Sequence, residues 1–290
     1  EPMPKRFTSM FCLRTIGNNF ATKNLVKSLN EISVNESPLL EHELAYILGQ
    51  ILGIRDHELL DKNRIDEVRN RADYDFVREN LESCMSDTSR DSVTRHEAGE
   101  ALGAMLSEKS LPLLDKLSLE ENEAFPEVRD TCQIASQRIR WFQDLQKSDT
   151  TYKTLENRNP FQATDPAPPL NLLKLAWHEN INNLVNEAAK ILSDPKANIF
   201  ERYRSSFTIR NELCSHNISD KSARKNGIQA LLTALHCPSS ALLRHEMGYV
   251  LGQILACFDE VDKDLQDLVI DSLEKSVTND GEHGMVRHES

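Results

Sequence analysis

Apolar residues recur at i, i+3 and i+4 along most of the chain. The segments LPLLDKLSL (111–119), VRDTCQIASQRIRWF (128–142), LVNEAAKIL (184–192), IQALLTAL (228–235) and LQDLVIDSLEKSV (265–277) each carry that period. It is the pattern of helices that bury one face and leave the other in water. No stretch alternates over six residues as a half-buried strand would.

Superimposed on this period is a duplication. SPLLEHELAYILGQIL (37–52) and SALLRHEMGYVLGQIL (240–255) agree at 11 of 16 positions. DSVTRHEAGEALGAML (91–106) is a looser copy, and GMVRHES (284–290) matches the opening of its counterpart, so the order is A, B, A′, B′. Helical units repeated in this way predict an all-α fold, an α-solenoid or superhelix of HEAT-type helical hairpins in two pseudo-symmetric halves. The two histidines of a half are 54 residues apart in the first half and 43 in the second. The polar run 55–75 therefore reads as an insertion forming a surface loop. Residues 146–170 are polar and include DPAPP, which predicts a semi-extended linker rather than a packed element. The expected organisation is a helical-repeat half at 1–145, the linker at 146–170, and a second half at 171–290. The first half continues past its second His-Glu helix into another helical segment, whereas the second reaches Ser290 two residues after His288. Together with the absence of an initial Met, this leads to the expectation of a longer parent chain, extended at the C-terminus and also at the N-terminus.

Charge narrows the partners. With 34 basic and 46 acidic residues the net charge is −12, which disfavours a nucleic-acid duplex held through its phosphates and favours a basic partner. No run approaches the ~20 apolar residues needed to span a bilayer, and the N-terminus lacks the apolar core of a signal peptide. Six cysteines, at 12, 84, 132, 214, 237 and 257, form no CxxC pair. This reads as reduced thiols in a cytoplasmic setting and excludes a disulfide scaffold.

The chemistry lies in six His-Glu dipeptides, at 42–43, 57–58, 96–97, 178–179, 245–246 and 288–289, from only nine histidines. Four of them sit in the repeat frame. His57 and His178 lack the downstream x-L-G pattern and read as surface dipeptides. On a helical wheel, Leu44, Ile47, Leu48 and Ile51 form a core stripe with His42 opposite. The same construction puts His96 opposite Ala98, Ala101, Leu102 and Met105, and His245 opposite Met247, Val250, Leu251 and Ile254. These are not core histidines, which leaves a solvated surface or a site. Small residues flank each one: Ala45 and Gly49, Gly99 and Gly103, Gly248 and Gly252. Glycine inside a helix costs about 1 kcal/mol relative to alanine, so its recurrence beside the imidazole points to close approach by a neighbouring backbone or a ligand.

Stacked solenoid helices would let His42 and His96 face a common point, with Glu97 offered from the second helix. His245, His288 and Glu289 would repeat the set in the second half. Two imidazoles and a carboxylate with open positions suit non-haem Fe(II), and the duplication predicts two such metals, brought face to face. Zinc with the same ligands in a hydrolase competes, and so does a metal-free HEAT-type scaffold for protein partners. Phycobilin lyases, built from related repeats, are a distant further reading. Glu43 and Glu246, 100° round the helix from their histidines, are candidates for binding a cationic substrate or orienting a ligand imidazole.

RHEAGEALGA (95–104), the two HExxYxLGQ helices, MVRHE (285–289), FERYR (200–204), LHC (235–237), TCQ (131–133) and DPAPP (165–169) together resemble deoxyhypusine hydroxylase, in collinear order from about residue 6 to 290. The resemblance implies a di-iron monooxygenase that uses two Fe(2+) and dioxygen to hydroxylate the deoxyhypusine side chain of eukaryotic translation initiation factor 5A, completing hypusine. It implies one iron on His42, His96 and Glu97 and the other on His245, His288 and Glu289. Glu43 and Glu246 would then be catalytic residues that bind substrate, whose amines suit an acidic site. The longer 55–75 segment and the early end after Glu289 depart from the family pattern.

Overall fold

A computed structural model of the chain describes residues 2–32, 36–147, 159–170, 181–215, 220–258 and 263–290. The described residues form helices and connecting turns, with no strand among them. They fall into two compact units, Glu1–Thr151 with Ala163–Pro166 and Tyr152–Gln162 with Ala167–Ser290. No helix among the described residues is long and apolar enough to cross a membrane.

Unit 1 contains α1 (Met3–Ile16), α2 (Asn19–Glu31), α3 (Pro38–Leu52), α4 (Lys62–Arg69), α5 (Tyr74–Ser86), α6 (Ser92–Ala104), α7 (Leu111–Leu117) and α8 (Pro126–Lys147). The pairs α2/α3, α5/α6 and α7/α8 are HEAT-type hairpins. Within each pair the helices pack on one another, and α3 packs on α6 and α6 on α8. Unit 2 contains α9 (Ile181–Ser193), α10 (Ile199–Cys214), α11 (Lys221–Leu235), α12 (Ala241–Leu255), α13 (Lys263–Thr278) and α14 (Gly284–Glu289). Its hairpins are α9/α10, α11/α12 and α13/α14, with α10 stacked on α12 and α12 on α14.

The starts of the repeated helices are written in the sequence. The hydroxyls of Ser37 and Ser240, equivalent in the duplication, accept from the backbone N–H groups of Leu40 and Leu243 and so cap α3 and α12. Asp91 caps α6 in the same manner through Val93 N. Leu44, Ile47 and Leu48 of α3, Ala98, Ala101 and Leu102 of α6, and Met247, Val250 and Leu251 of α12 are buried, as the wheel requires.

Close stacking rests on the small residues. A Cβ on Gly49 would stand 2.8 Å from the Cα and Cβ of Ala101, and one on Gly103 would stand 2.9 Å from the Cβ of Ala135. Backbones therefore meet along α3, α6 and α8, and a neighbouring helix accounts for these two glycines.

Two sequence expectations are corrected. The run 55–75 is not a surface loop. It folds into a 3-10 turn at Asp56–Glu58, the helix α4, and the approach to α5, and it buries Leu59, Ile65 and Val68. Arg138 of α8 donates to Ile54 O at 3.0 Å and pins the entrance of this run. Tyr74 with these three makes four buried hydrophobic residues among many charges, which give this run one covered side that average polarity concealed.

Nor is the last part of the linker unpacked. Ala163–Pro169 is irregular yet buried. In unit 1, Thr164 N donates to Gln50 Oε1 at 2.9 Å while Gln50 Nε2 donates to Thr164 O at 3.2 Å. In unit 2, Arg204 Nε donates to Pro168 O at 3.0 Å and Leu170 N to Thr208 Oγ1 at 2.8 Å. Side chains from the repeats supply the hydrogen bonds that a proline-rich backbone cannot make to itself. Residues 148–158 of that segment lie outside the described residues.

Candidate metal centre

In α3, α6 and α12 the residue before the histidine ties the helix to its neighbours. Glu41, fully buried, accepts from Arg90 Nη1 at 2.6 Å. Arg95 donates through Nε to Met85 O at 2.9 Å and forms a buried ion pair with Glu123. In unit 2, Arg244 donates to Glu282 through Nη2 at 2.7 Å and to Cys237 O through Nη1 at 2.7 Å. The two buried pairs, Glu41 with Arg90 and Arg95 with Glu123, hold their helices in register, because breaking one strands a charge away from water.

With register fixed, α3 and α6 present their histidines to each other. The His42 and His96 ring centroids are 5.3 Å apart, tilted by 44°. His42 Nε2 is 3.2 Å from Glu97 Oε2, and His42 Nδ1 is 3.3 Å from Glu43 Oε1. His96, Glu97 and Glu100 each offer a ligand atom, all within 4.8 Å of one another. His42 is 3% exposed, His96 0% and Glu97 3%, so the solvated-surface reading of these histidines does not hold. Burial by itself would drive the proton off His42, but Glu97 and Glu43 outweigh it and hold the imidazole pKa well above its ordinary value. A buried imidazole facing carboxylates at both nitrogens needs a cation, and either a proton or a metal meets that need. The donors are imidazole nitrogen and carboxylate oxygen without thiolate, a set that fits a first-row divalent metal such as iron or zinc. A carboxylate on Nδ1 that leaves Nε2 for the metal is the usual way a ligand histidine is oriented.

Unit 2 repeats the motif. Glu289 Oε1 lies 3.7 Å from His245 Nε2 and 3.4 Å from His288 Nε2. The cross-helix contact of His245 with Glu289 matches that of His42 with Glu97. A Cβ on Gly248 would meet the backbone of Glu289 at 3.1 Å, so α12 and α14 also approach closely, whereas one on Gly252 would meet nothing within 4 Å. His245 and Glu246 are buried and His288 is exposed.

The His57–Glu58 dipeptide takes no part in these groups. Glu58 is held by Arg55 at 2.8 Å and Arg64 at 3.2 Å. It is a structural carboxylate rather than a surface one, kept below its ordinary pKa by Arg55 against the opposing effect of burial. His178 lies outside the described residues. Glu100 is the residue that sequence reasoning missed. Its signal was the four-residue spacing from His96 on one helical face.

No family model matches the chain. Deoxyhypusine hydroxylase of Danio rerio is 34% identical over 289 residues, spanning all of this chain and 74% of that protein. The chain belongs to the deoxyhypusine hydroxylase family. The Drosophila melanogaster enzyme is 31% identical over the same coverage. The structure of human deoxyhypusine hydroxylase in complex with glycerol is 30% identical, with a TM-score of 0.68 over all of this chain and 77% of that one. The family is one of enzymes, and the HEAT-type helical architecture is common to both structures.

Proposed function

We propose that this chain hydroxylates the deoxyhypusine side chain of eukaryotic translation initiation factor 5A, using two ferrous ions and dioxygen, in the cytoplasm. The observation that carries the reading is the His42–Glu97 contact across α3 and α6, with its repeat between His245 and Glu289, in a chain of this family. His42, His96 and Glu97 would hold one iron, and His245, His288 and Glu289 the other. When bound, the iron supplies the electrons that activate dioxygen for insertion into a C–H bond.

The chain's own residues do the rest. Glu43, with Oε1 on His42 Nδ1, fixes the tautomer and orientation of that ligand. Glu43 and Glu246 add negative charge beside their histidines, which suits a substrate whose side chain carries amines. Burial of His42, His96 and Glu97 removes bulk water from the donor atoms and strengthens each of these interactions. The test is to incubate the iron-loaded protein with the deoxyhypusine form of the factor in air. A gain of one oxygen atom on the modified lysine, absent under anaerobic conditions, is the expected result. An unmodified factor in the presence of fully loaded protein would overturn it.

A further inference from the structure

We propose that Cys214 and Cys257 of unit 2 are an oxidisable thiol pair, a modification site at which a peroxide converts the two thiols into a disulfide joining α10 to α12. The inference stands apart from the metal reading. Cys214 is the last residue of α10, and Cys257 follows Ala256, the C-terminal cap of α12. These two helices stack on one another. Across the stack Arg210 Nη1 donates to Gln253 Oε1 at 2.8 Å. Each cysteine lies four residues beyond one member of that pair, and residues at this spacing share a helical face. Cys257 folds back over the last turn of α12, its N–H donating to Ile254 O at 2.9 Å and its Sγ to Gln253 O at 3.6 Å. Register thus carries both thiols to the same edge of the α10–α12 contact, where they are hydrogen-bond partners of each other.

Access assigns the roles. Cys257 is half-buried and Cys214 is buried. Cys257, as thiolate, attacks one peroxide oxygen; the O–O bond breaks, the departing hydroxide leaves as water with the thiol proton, and Cys257 becomes a sulfenic acid. The Cys214 sulfur then attacks Cys257 Sγ, the S–O bond breaks, and the second hydroxide leaves as water with the Cys214 proton. The two thiols give up two electrons and two protons, and hydrogen peroxide becomes two waters. Burial first, and then the neighbouring Cys257 thiol, push the Cys214 pKa up. Cys214 therefore stays a thiol until the sulfenic acid forms beside it, which suits the resolving partner and not the first point of attack. The other thiols are placed differently. Cys84 and Cys132 are buried, Cys12 is exposed on α1, and Cys237 faces Ser239 Oγ and Arg202 Nη2.

The test is a hydrogen peroxide titration of the full chain, treated with chelator so that metal does not consume the peroxide. Remaining thiols are then alkylated in denaturant, and peptides are mapped by mass spectrometry without reduction. The expected product joins the Cys214 and Cys257 peptides with the loss of two hydrogens, and dithiothreitol restores both thiols. In Cys214→Ala, which leaves the attacking thiol without its partner, Cys257 should be trapped by dimedone as the sulfenic acid. In Cys257→Ala, Cys214 should survive the same peroxide exposure as a free thiol. Two results in the unaltered chain would overturn the inference. One is Cys257 oxidised to sulfenic or sulfinic acid while Cys214 stays reduced. The other is both thiols still free once Cys12 and Cys237 have oxidised.

Discussion

His42 Nε2 on α3 stands 3.2 Å from Glu97 Oε2 on α6, and the same two helices meet backbone to backbone at Gly49 and Ala101. The first contact depends on the second. An added methyl at Gly49 would fall 2.8 Å from Ala101 Cα, forcing the helices apart where they position the donors.

Gly49→Ala should therefore destabilise the protein. Overpacking of about 1–3 kcal/mol outweighs the ~1 kcal/mol that alanine contributes through helix propensity, and metal affinity should drop with it. Gly252→Ala, at the equivalent place in the duplication, meets nothing within 4 Å and should be neutral or stabilising by up to ~1 kcal/mol. Urea midpoints of the two variants decide the matter; equal effects would contradict this account of the stacking.

A pH dependence follows from His42. Its pKa in the folded protein is raised well above 6.5, the carboxylates of Glu97 and Glu43 overcoming the opposing effect of burial. The stabilisation this gives metal-free protein is complete below 6.5 and is lost as pH rises through the raised value. Chelator-treated protein should melt at progressively lower temperature as pH rises from 6.5, and added metal should abolish that trend by replacing the proton. Calorimetry in buffers of different ionisation enthalpy should show proton release on metal binding. A flat profile for the metal-free protein would count against His42 as the protonated partner.

The helical period and the A, B, A′, B′ duplication made the HEAT-type fold legible, because each hairpin carries its own core stripe and cap. The His-Glu recurrence marked the residues that α3 and α6, and α12 and α14, bring together. What the sequence did not give is the set of contacts between distant residues. The anchoring of Arg95 by Glu123 and of Arg244 by Glu282 joins residues far apart in the chain, and no local pattern announces either pair. The 55–75 run was misread because Leu59, Ile65 and Val68 are a minority among charges. The 163–169 stretch was misread because proline content signals an irregular backbone, not an exposed one.

Acid stability should depend on Asp73. Burial pushes its carboxyl up, but Arg71 and the Thr22 hydroxyl more than compensate and leave the pKa below 3.8. Its contribution is present above 3.8 and lost as pH falls through the lowered value. Asp73→Asn should cost about 1.5–3 kcal/mol at neutral pH, the range for hydrogen bonds to a charged group. That gap should narrow in denaturant titrations carried into the acid range. A gap independent of pH would assign the loss to packing instead.

Thiol reactivity should sort the cysteines. Burial pushes Cys84 and Cys132 up to about 12, so neither should react with iodoacetamide near neutrality. Burial also acts on Cys237, but Ser239 and Arg202 outweigh it and lower its pKa. Mass spectrometry after brief alkylation should find Cys237 and the exposed Cys12 modified, with Cys84 and Cys132 intact. Early labelling of Cys132 would show that the α6–α8 core opens more readily than its packing implies.

The most direct test of the central claim is to count iron and zinc in freshly purified protein by elemental analysis, beside Glu97→Ala and His245→Ala. Two irons per chain, falling to one in each variant, is the result expected if each unit holds a metal through these residues. Stoichiometric zinc in place of iron, or no metal after anaerobic ferrous loading of the unaltered chain, would contradict it.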